Sequence, residues 1–273
     1  MAFQINSNLG ASAAYNALKQ TDYRTQKAQL QLASQNRINS VADDTSGYRV
    51  GKELTAKISL MKAAMTNISS AKNLLSTAES ALSSINDLII QIKGKISDSF
   101  DTTKNQTSLA NDIKALGDEI SAIFTNTKFN DTALLSASTY SSGFTFRTGT
   151  TENTTVNFGT MNTLSLASIT TGGSGAVDGG TTNAISTLSV DTLQTAVQDA
   201  LGKIGNYTQR MDVKEQFVSS AVTNAKATVD GIFGADIAQQ QLNATKGKIA
   251  SQISTTMLAQ LNSAPQSLLG LFR

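Results

Sequence analysis

The chain has 273 residues, a formal net charge of +2, 15% charged residues and 5% aromatics, with no Trp, Cys or His and a single Pro. Without Cys and His, disulfides, thiolate chemistry, imidazole bases and most zinc or iron sites are excluded, which leaves carboxylates and magnesium as the remaining catalytic means. So even a charge balance supplies no strong field towards nucleic acid or an anionic membrane, and no apolar run is long enough to predict a membrane span.

The amino terminus lacks a basic segment followed by an apolar run, so a cleaved signal peptide is not expected. Residues 1–18 carry no charge, yet Phe3, Ile5, Leu9, Ala13 and Leu18 recur at helical spacing. A polar break follows at residues 34–50, "SQNRINSVADDTSGYRV", and then the strongest signal in the chain. Leu54, Ile58, Met61, Met65, Ile68, Ala71, Leu75, Ala78, Leu82, Ile85, Ile89, Ile92 and Ile96 step by four and three without a miss. That spacing predicts a heptad seam of roughly six repeats on a helix of about 60 Å. A shorter helix is expected over about Ser108 to Phe124, with Leu109, Ile113, Leu116 and Ile120 on one side and Gly117 weakening it.

Residues 139–183 change character: "GFTFRTGTTENTTVNF" predicts two short strands around a polar turn near Thr151 to Asn153, and "TGGSGAVDGG" predicts a loop. A second seam runs through Leu193, Val197, Ala200, Ile204, Tyr207, Met211, Lys214, Val218, Ala221 and Ala225 towards Val229 and Ile232. Lys214 is its polar interruption, expected to lie along the seam with its amine in solvent. Two such stripes imply two long helices packed on each other. A second break, "GADIAQQQL" at 234–242, precedes a tail with no charge from Ile249 to Phe272, in which Ile249, Ile253, Met257, Leu261, Leu268, Leu269 and Leu271 repeat at similar spacing. Uncharged amphipathic tails at both ends are an aggregation hazard in isolation, and point to a subunit whose ends are buried on assembly. The expected fold class is mainly α, a long antiparallel helical hairpin or coiled-coil bundle with a small β-hairpin insert.

Asp43 and Asp44 are the acidic pair that an enzyme hypothesis has to start from. Adjacent residues on a helix point about 100° apart and do not share a ligand as an i,i+4 pair does. No aromatic-lined sugar site accompanies them, which weakens a glycan hydrolase of the carboxylate type. Asn39, Ser40, Asp43 and Asp44 suit backbone N–H groups at a turn or helix start. Arg37 suits charge-assisted bonds to those carboxylates or to a neighbouring chain's carbonyls. Gly47 permits a close approach or sharp turn, and Asp236 suits the start of the last helix. Because the two breaks meet when the chain is folded as a hairpin, they read as one hinge between two layers of an assembly.

The motifs resemble those of bacterial flagellin. Ile5-Asn6-Ser7-Asn8 and "NRINSVADDTSGYRV" look like that family's first segment. "AESAL" at 78–82, "TKFNDTALL" at 127–135 and "FTFRTGTTENTTVNFG" resemble the parts that follow. "DIAQQQL" and "MLAQLNSAPQSLLGLFR" resemble the closing segment. The resemblance implies a non-enzymatic, self-assembling subunit of the extracellular filament, without cofactors, exported by the flagellar type III apparatus with no cleaved signal. Its implied partners are copies of itself or related flagellins, an export chaperone, the filament cap and hook-junction proteins, with no nucleic acid and no stable membrane insertion.

It also implies a layout: 1–36 and 236–273 as the two parts of an inner coiled-coil domain, 37–138 and 184–235 as the two parts of a rod, and 139–183 facing outward. Arg37, Asn39, Asp43, Asp44, Gly47 and Asp236 become expected inter-subunit residues. Phe3, Ile5, Leu9, Leu18, Ile249, Ile253, Met257, Leu261, Leu268 and Leu271 become expected terminal packing residues. The alternatives are a hook–filament junction protein with similar ends and, more remotely, the glycan hydrolase.

Three departures from the family's usual pattern stand out. Gln35-Asn36 replace a serine-glycine. The second break is reduced to Gly231-Ile232-Phe233-Gly234-Ala235-Asp236, without the usual arginine-rich, aspartate-rich run. The segment recognised by the innate flagellin receptor reads Leu88-Ile89-Ile90-Gln91-Ile92-Lys93-Gly94, with Gln91 where an arginine is usual. Weak receptor activation is therefore expected of Leu88, Gln91, Ile92 and Lys93, and potency equal to a stimulatory flagellin in a receptor-binding assay would refute it.

Overall fold

A computed structural model describes the backbone of residues 9–135, 143–158 and 190–271, and their side chains except those of 262 and 264–271. In chain order these residues form α1 (Leu9–Ser34), α2 (Thr45–Asp98), α3 (Gln106–Asn126), β1 (Lys128–Phe129), β2 (Thr132–Ala133), β3 (Phe144–Arg147), β4 (Asn153–Val156), α4 (Asp191–Phe233) and α5 (Ile237–Leu271). The fold is mainly helical with a small antiparallel hairpin insert. It divides into two compact units, residues 57–222 and residues 1–56 together with 223–273.

The unit formed by residues 57–222 is built on the two heptad seams. Ile68, Ala71, Leu75, Ala78, Leu82, Ile85, Ile89 and Ile92 are buried, and so are Leu193, Val197, Ala200, Ile204, Met211 and Val218 of α4. Both stripes belong to one hydrophobic cluster, completed by Leu109, Ile113 and Ile120 of α3. Two ion-pair sites fix the register and antiparallel sense of α2 on α4. Lys72 reaches Asp212 at 2.7 Å and Glu215 at 3.0 Å. Further along α2, Lys93 reaches Asp191 at 2.5 Å and also donates to Gln194. α3 starts where Asn105 accepts the Ser108 N–H at 3.0 Å, and stops where the Thr127 N–H returns to the Ile123 carbonyl at 3.0 Å.

The insert begins one strand pair earlier than the sequence signals suggest. β1 and β2 pair antiparallel across Asn130 and Asp131, both at positive φ (50° and 61°), which is the geometry of a tight two-residue hairpin turn. β3 and β4 then pair with Phe144 opposite Val156 and Arg147 opposite Asn153, so Asn153 belongs to the strand and not to the turn. Val156 and, just beyond the strand, Phe158 enter the hydrophobic cluster. Lys214 lies half-buried along the seam, and its amine makes an exposed contact with Glu152 in the hairpin loop at 2.6 Å. Asn67 adds a second tie, donating to the Arg147 carbonyl at 3.2 Å. A polar residue in the seam thus serves to seat the insert. The expected outward segment at 139–142 and 159–183 lies outside the described residues.

The other unit is organised by the terminal helices. α1 and α5 run antiparallel, with Cα atoms of the two helices within 8 Å of one another. Where Gly247 meets Thr25 the two helices come close enough to demand a residue without a side chain. At the seam, Thr25 and Ala28 of α1 and Ala244 of α5 are buried, with Gly247 and Ala250 alongside. Gly247 faces Thr25, whose hydroxyl and Cβ occupy the space a Cβ on residue 247 would need. Ser251 donates to Asp22 at 2.9 Å further along the pair.

Candidate functional site: the paired chain breaks and the terminal helices

The two breaks in helix, residues 35–44 and 234–236, are laced together within the second unit described. The Arg37 N–H donates to the Phe233 carbonyl at 2.5 Å and the Ala235 N–H donates to the Gln35 carbonyl at 3.0 Å, so Asn36 and Gly234 form an isolated antiparallel bridge. The Arg37 guanidinium donates to the Ile232 carbonyl at 3.1 Å. It therefore uses a carbonyl of its own chain, at the C-terminal end of α4, and not Asp43 or Asp44. A cation at that end complements the helix dipole. Gln31, buried at the end of α1, holds the same strand by donating to the Arg37 carbonyl at 2.6 Å.

Asp43 and Asp44 divide the work of shaping the turn. One Asp43 oxygen accepts the Asn39 N–H at 3.1 Å, the Ser40 N–H at 2.9 Å and the Ser40 hydroxyl at 3.1 Å. The other meets the Lys27 ammonium at 2.7 Å. The Lys27 contact, followed by the backbone donor of Ser40, holds the Asp43 carboxyl well below the usual carboxylate range against an opposing cost of burial. The same hydrogen bond raises the Lys27 ammonium. Asp44 is the N-cap of α2, accepting the Gly47 N–H at 2.8 Å. Gly47 is needed there because a Cβ would lie 2.5 Å from the Asp44 carboxylate and 2.9 Å from the Ile38 side chain. Asn39 closes the turn by donating to the Asn36 carbonyl at 3.1 Å. Asp236 caps α5, accepting the Gln239 N–H at 3.0 Å.

Every polar residue singled out at the breaks is thus engaged by its own chain, and the two aspartates face different partners. This is a shaped junction and not a catalytic carboxylate pair. Its aromatic component has no sequence signal: the Phe233 ring lies over Gly51 and meets Tyr48 edge-on, with centroids 6.2 Å apart. Lys27, Gln31 and Gln35 are likewise unsignalled. Gln35 holds a positive φ of 57° at the end of α1, the conformation in which helices commonly terminate at glycine.

A stability consequence follows for Asp43. Its folded pKa is depressed, so its contribution is complete above the unfolded carboxylate value, about 3.9, and is lost as pH falls through the lower folded value. Asp43→Asn is expected to cost about 1 kcal/mol at pH 7 and to flatten the acid limb of the stability curve of this unit. Urea titrations at pH 7 and below pH 4 check both; an unchanged acid limb in the variant would contradict this account of the junction.

The terminal helices divide their surfaces by residue size. The α1–α5 seam uses Thr25, Ala28, Ala244 and Gly247 with Ala250 alongside, whereas several large apolar residues stay exposed. Leu9 is 78% exposed, and Ile249, Ile253, Met257 and Leu261 are between 38% and 58% exposed. Of the apolar set expected at the ends, Leu18 is the half-buried member among the described residues. Phe3, Ile5 and the side chains of Leu268 and Leu271 lie outside the described residues. In the other unit, Leu88 is half-buried, Ile92 is core and Lys93 is held by α4, while Gln91 is exposed together with Ile90 and Gly94.

Long helices joined by shaped breaks, with uncharged apolar faces left over, define a structural subunit and not an enzyme. The bacterial flagellin N-terminal helical region matches residues 5–139, and the bacterial flagellin C-terminal helical region matches residues 187–272. Flagellin FlaB1 of Treponema pallidum is 27% identical, over 98% of this chain and 99% of the relative. Flagellins of Listeria innocua and Bacillus subtilis are each 26% identical, over 97% and 99% of this chain and 98% and 100% of the relatives. The chain belongs to the bacterial flagellin family. It is a non-catalytic structural subunit of the flagellar filament and acts outside the cell; among the described residues no helix is long and apolar enough to cross a membrane.

Proposed function

We propose that this chain polymerises with copies of itself, or of related flagellins, into the helical filament that serves as propeller, with α1 and α5 forming its inner layer. The observation that carries this reading is the uncharged apolar stripe of α5, Ile249, Ile253, Met257 and Leu261, which stands outside the α1–α5 seam. An exposed stripe of this kind is a liability on a free protein and a contact surface in a polymer. In this reading the ends of the chain, 1–36 and 236–273, make the inner coiled-coil domain. Residues 37–138 and 184–235 make the surrounding rod, and 139–183 face outward. Arg37, Asn39, Asp43, Asp44, Gly47 and Asp236 act in assembly by fixing how the chain passes from inner helices to rod. Delivery follows the family's route, by type III export with a chaperone and without a cleaved signal, and growth proceeds between hook-junction proteins and the cap. Gln91 weakens recognition by the innate receptor.

Electron microscopy of purified protein brought to polymerising conditions tests the reading. Long tubes about 100–200 Å wide are expected from packed helical layers of ~10 Å each around a channel. Short closed rings would favour a hook–filament junction protein, and persistent monomers would reject polymerisation.

A further inference from the structure

The stripe on α5 contains one chemically reactive member. Met257 is 58% exposed, while Met211 is fully buried and Met61 and Met65 are half-buried against the core cluster of the other unit. Ile253 and Leu261 flank it at four-residue spacing, and no charged residue lies between Ile249 and Phe272. We infer that Met257 is a site of reversible oxidation that controls entry of the subunit into the polymer. The inference rests on the reading that the α5 stripe is covered by neighbouring copies.

The chemistry needs a peroxide as oxidant. Peroxide transfers one oxygen atom to the thioether: the O–O bond breaks, an S–O bond forms, sulfur gives up two electrons, and water leaves. The product replaces a flexible apolar side chain with a polar one bearing a strong acceptor. In the free subunit that acceptor stands in water at little cost. Covered by an apolar surface, it loses water without gaining a donor, so the oxidised chain is disfavoured in the polymer and not in solution. The same cover keeps peroxide from the sulfur once the subunit is assembled. Oxidation therefore acts on subunits before they are incorporated, and enzymatic reduction of the sulfoxide reverses it.

The test treats the full chain with hydrogen peroxide as free subunit and, in parallel, as polymer. Peptide mass mapping follows residue 257, and sedimentation gives the critical concentration for polymerisation. Met257 is expected to oxidise in the free subunit at least about tenfold faster than in the polymer, in line with its covered state there. The oxidised subunit is expected to show a critical concentration raised about tenfold, about 1.4 kcal/mol, returning to the untreated value after methionine sulfoxide reductase. The M257L variant, compared only with its own untreated control, is expected to show no peroxide response. Equal oxidation in both states, an unchanged critical concentration after full oxidation at 257, or a persisting response in M257L would each overturn the inference. Failure of the untreated protein to polymerise would instead reject the filament reading itself. The reductase arm needs no variant and stands if M257L does not assemble.

Discussion

Ile253→Glu is expected to leave the protein folded but raise its critical concentration for polymerisation by at least about 100-fold. Ile253 is 53% exposed and lies outside the α1–α5 seam. In the free subunit a glutamate there sits in water on a helix that tolerates it well, and the change is worth no more than about 0.5 kcal/mol. Covered by another copy, the same carboxylate is a buried charge without a partner, a state that costs about 3–5 kcal/mol. At 1.4 kcal/mol per tenfold, the lower end of that range already exceeds a 100-fold effect. Circular dichroism of the monomer and sedimentation over a concentration series separate the two states. Filaments at the parental concentration would show that this face of α5 is not an inter-subunit surface.

The terminal helices show what sequence periodicity reports and what it leaves open. Apolar spacing marks the large residues of both tails as surfaces to be buried on assembly. The pairing within the chain is closest at small residues, where Thr25 occupies the space a Cβ on residue 247 would need and Ala28 and Ala244 are buried. The large residues are left for a different surface. A hydrophobic pattern therefore reports which positions avoid water, without saying whether the same chain or another copy covers them. In the unit formed by residues 57–222 the ambiguity does not arise. There the stepped stripe from Ile68 to Ile92 is continuous enough to demand a partner of equal length, and α4 carries one.

Junction chemistry was legible by residue type and less so by partner. Carboxylates and amides near a helix start suggest caps, and Asp43, Asp44 and Asp236 accept backbone N–H groups. Arg37 was open between carboxylates and carbonyls; it takes a carbonyl, and one 195 positions away along its own chain. Lys27 against Asp43, Phe233 over Gly51 and Glu152 on Lys214 were not visible at all. Each pairs residues on different elements, and no local period encodes such a match. The β1–β2 pair was missed for a different reason. Two-residue strands carry no alternation, and its one signal is the turn pair Asn130-Asp131.

Adjacent isoleucines on α2 offer a direct test of the seam. Ile89 is fully buried between α2 and its neighbours, whereas Ile90, one step round the helix, is 52% exposed. Ile89→Ala removes three methyl or methylene groups from a packed core and leaves a cavity that the stiff helices on either side cannot close. The expected loss is about 2–5 kcal/mol, read as a shift in the urea midpoint of that unit. Ile90→Ala removes the same atoms from a face in water and exchanges a β-branched residue for the best helix former, so its stability is expected within about 0.5 kcal/mol of the parent. Because both variants lose the same groups one residue apart, the difference between them isolates burial from composition and propensity. Near-equal losses would mean that the heptad stripe is not what holds α2 against α3 and α4. A tolerated Ile90→Ala that nevertheless raises the critical concentration for polymerisation would place that exposed side chain against another copy in the filament.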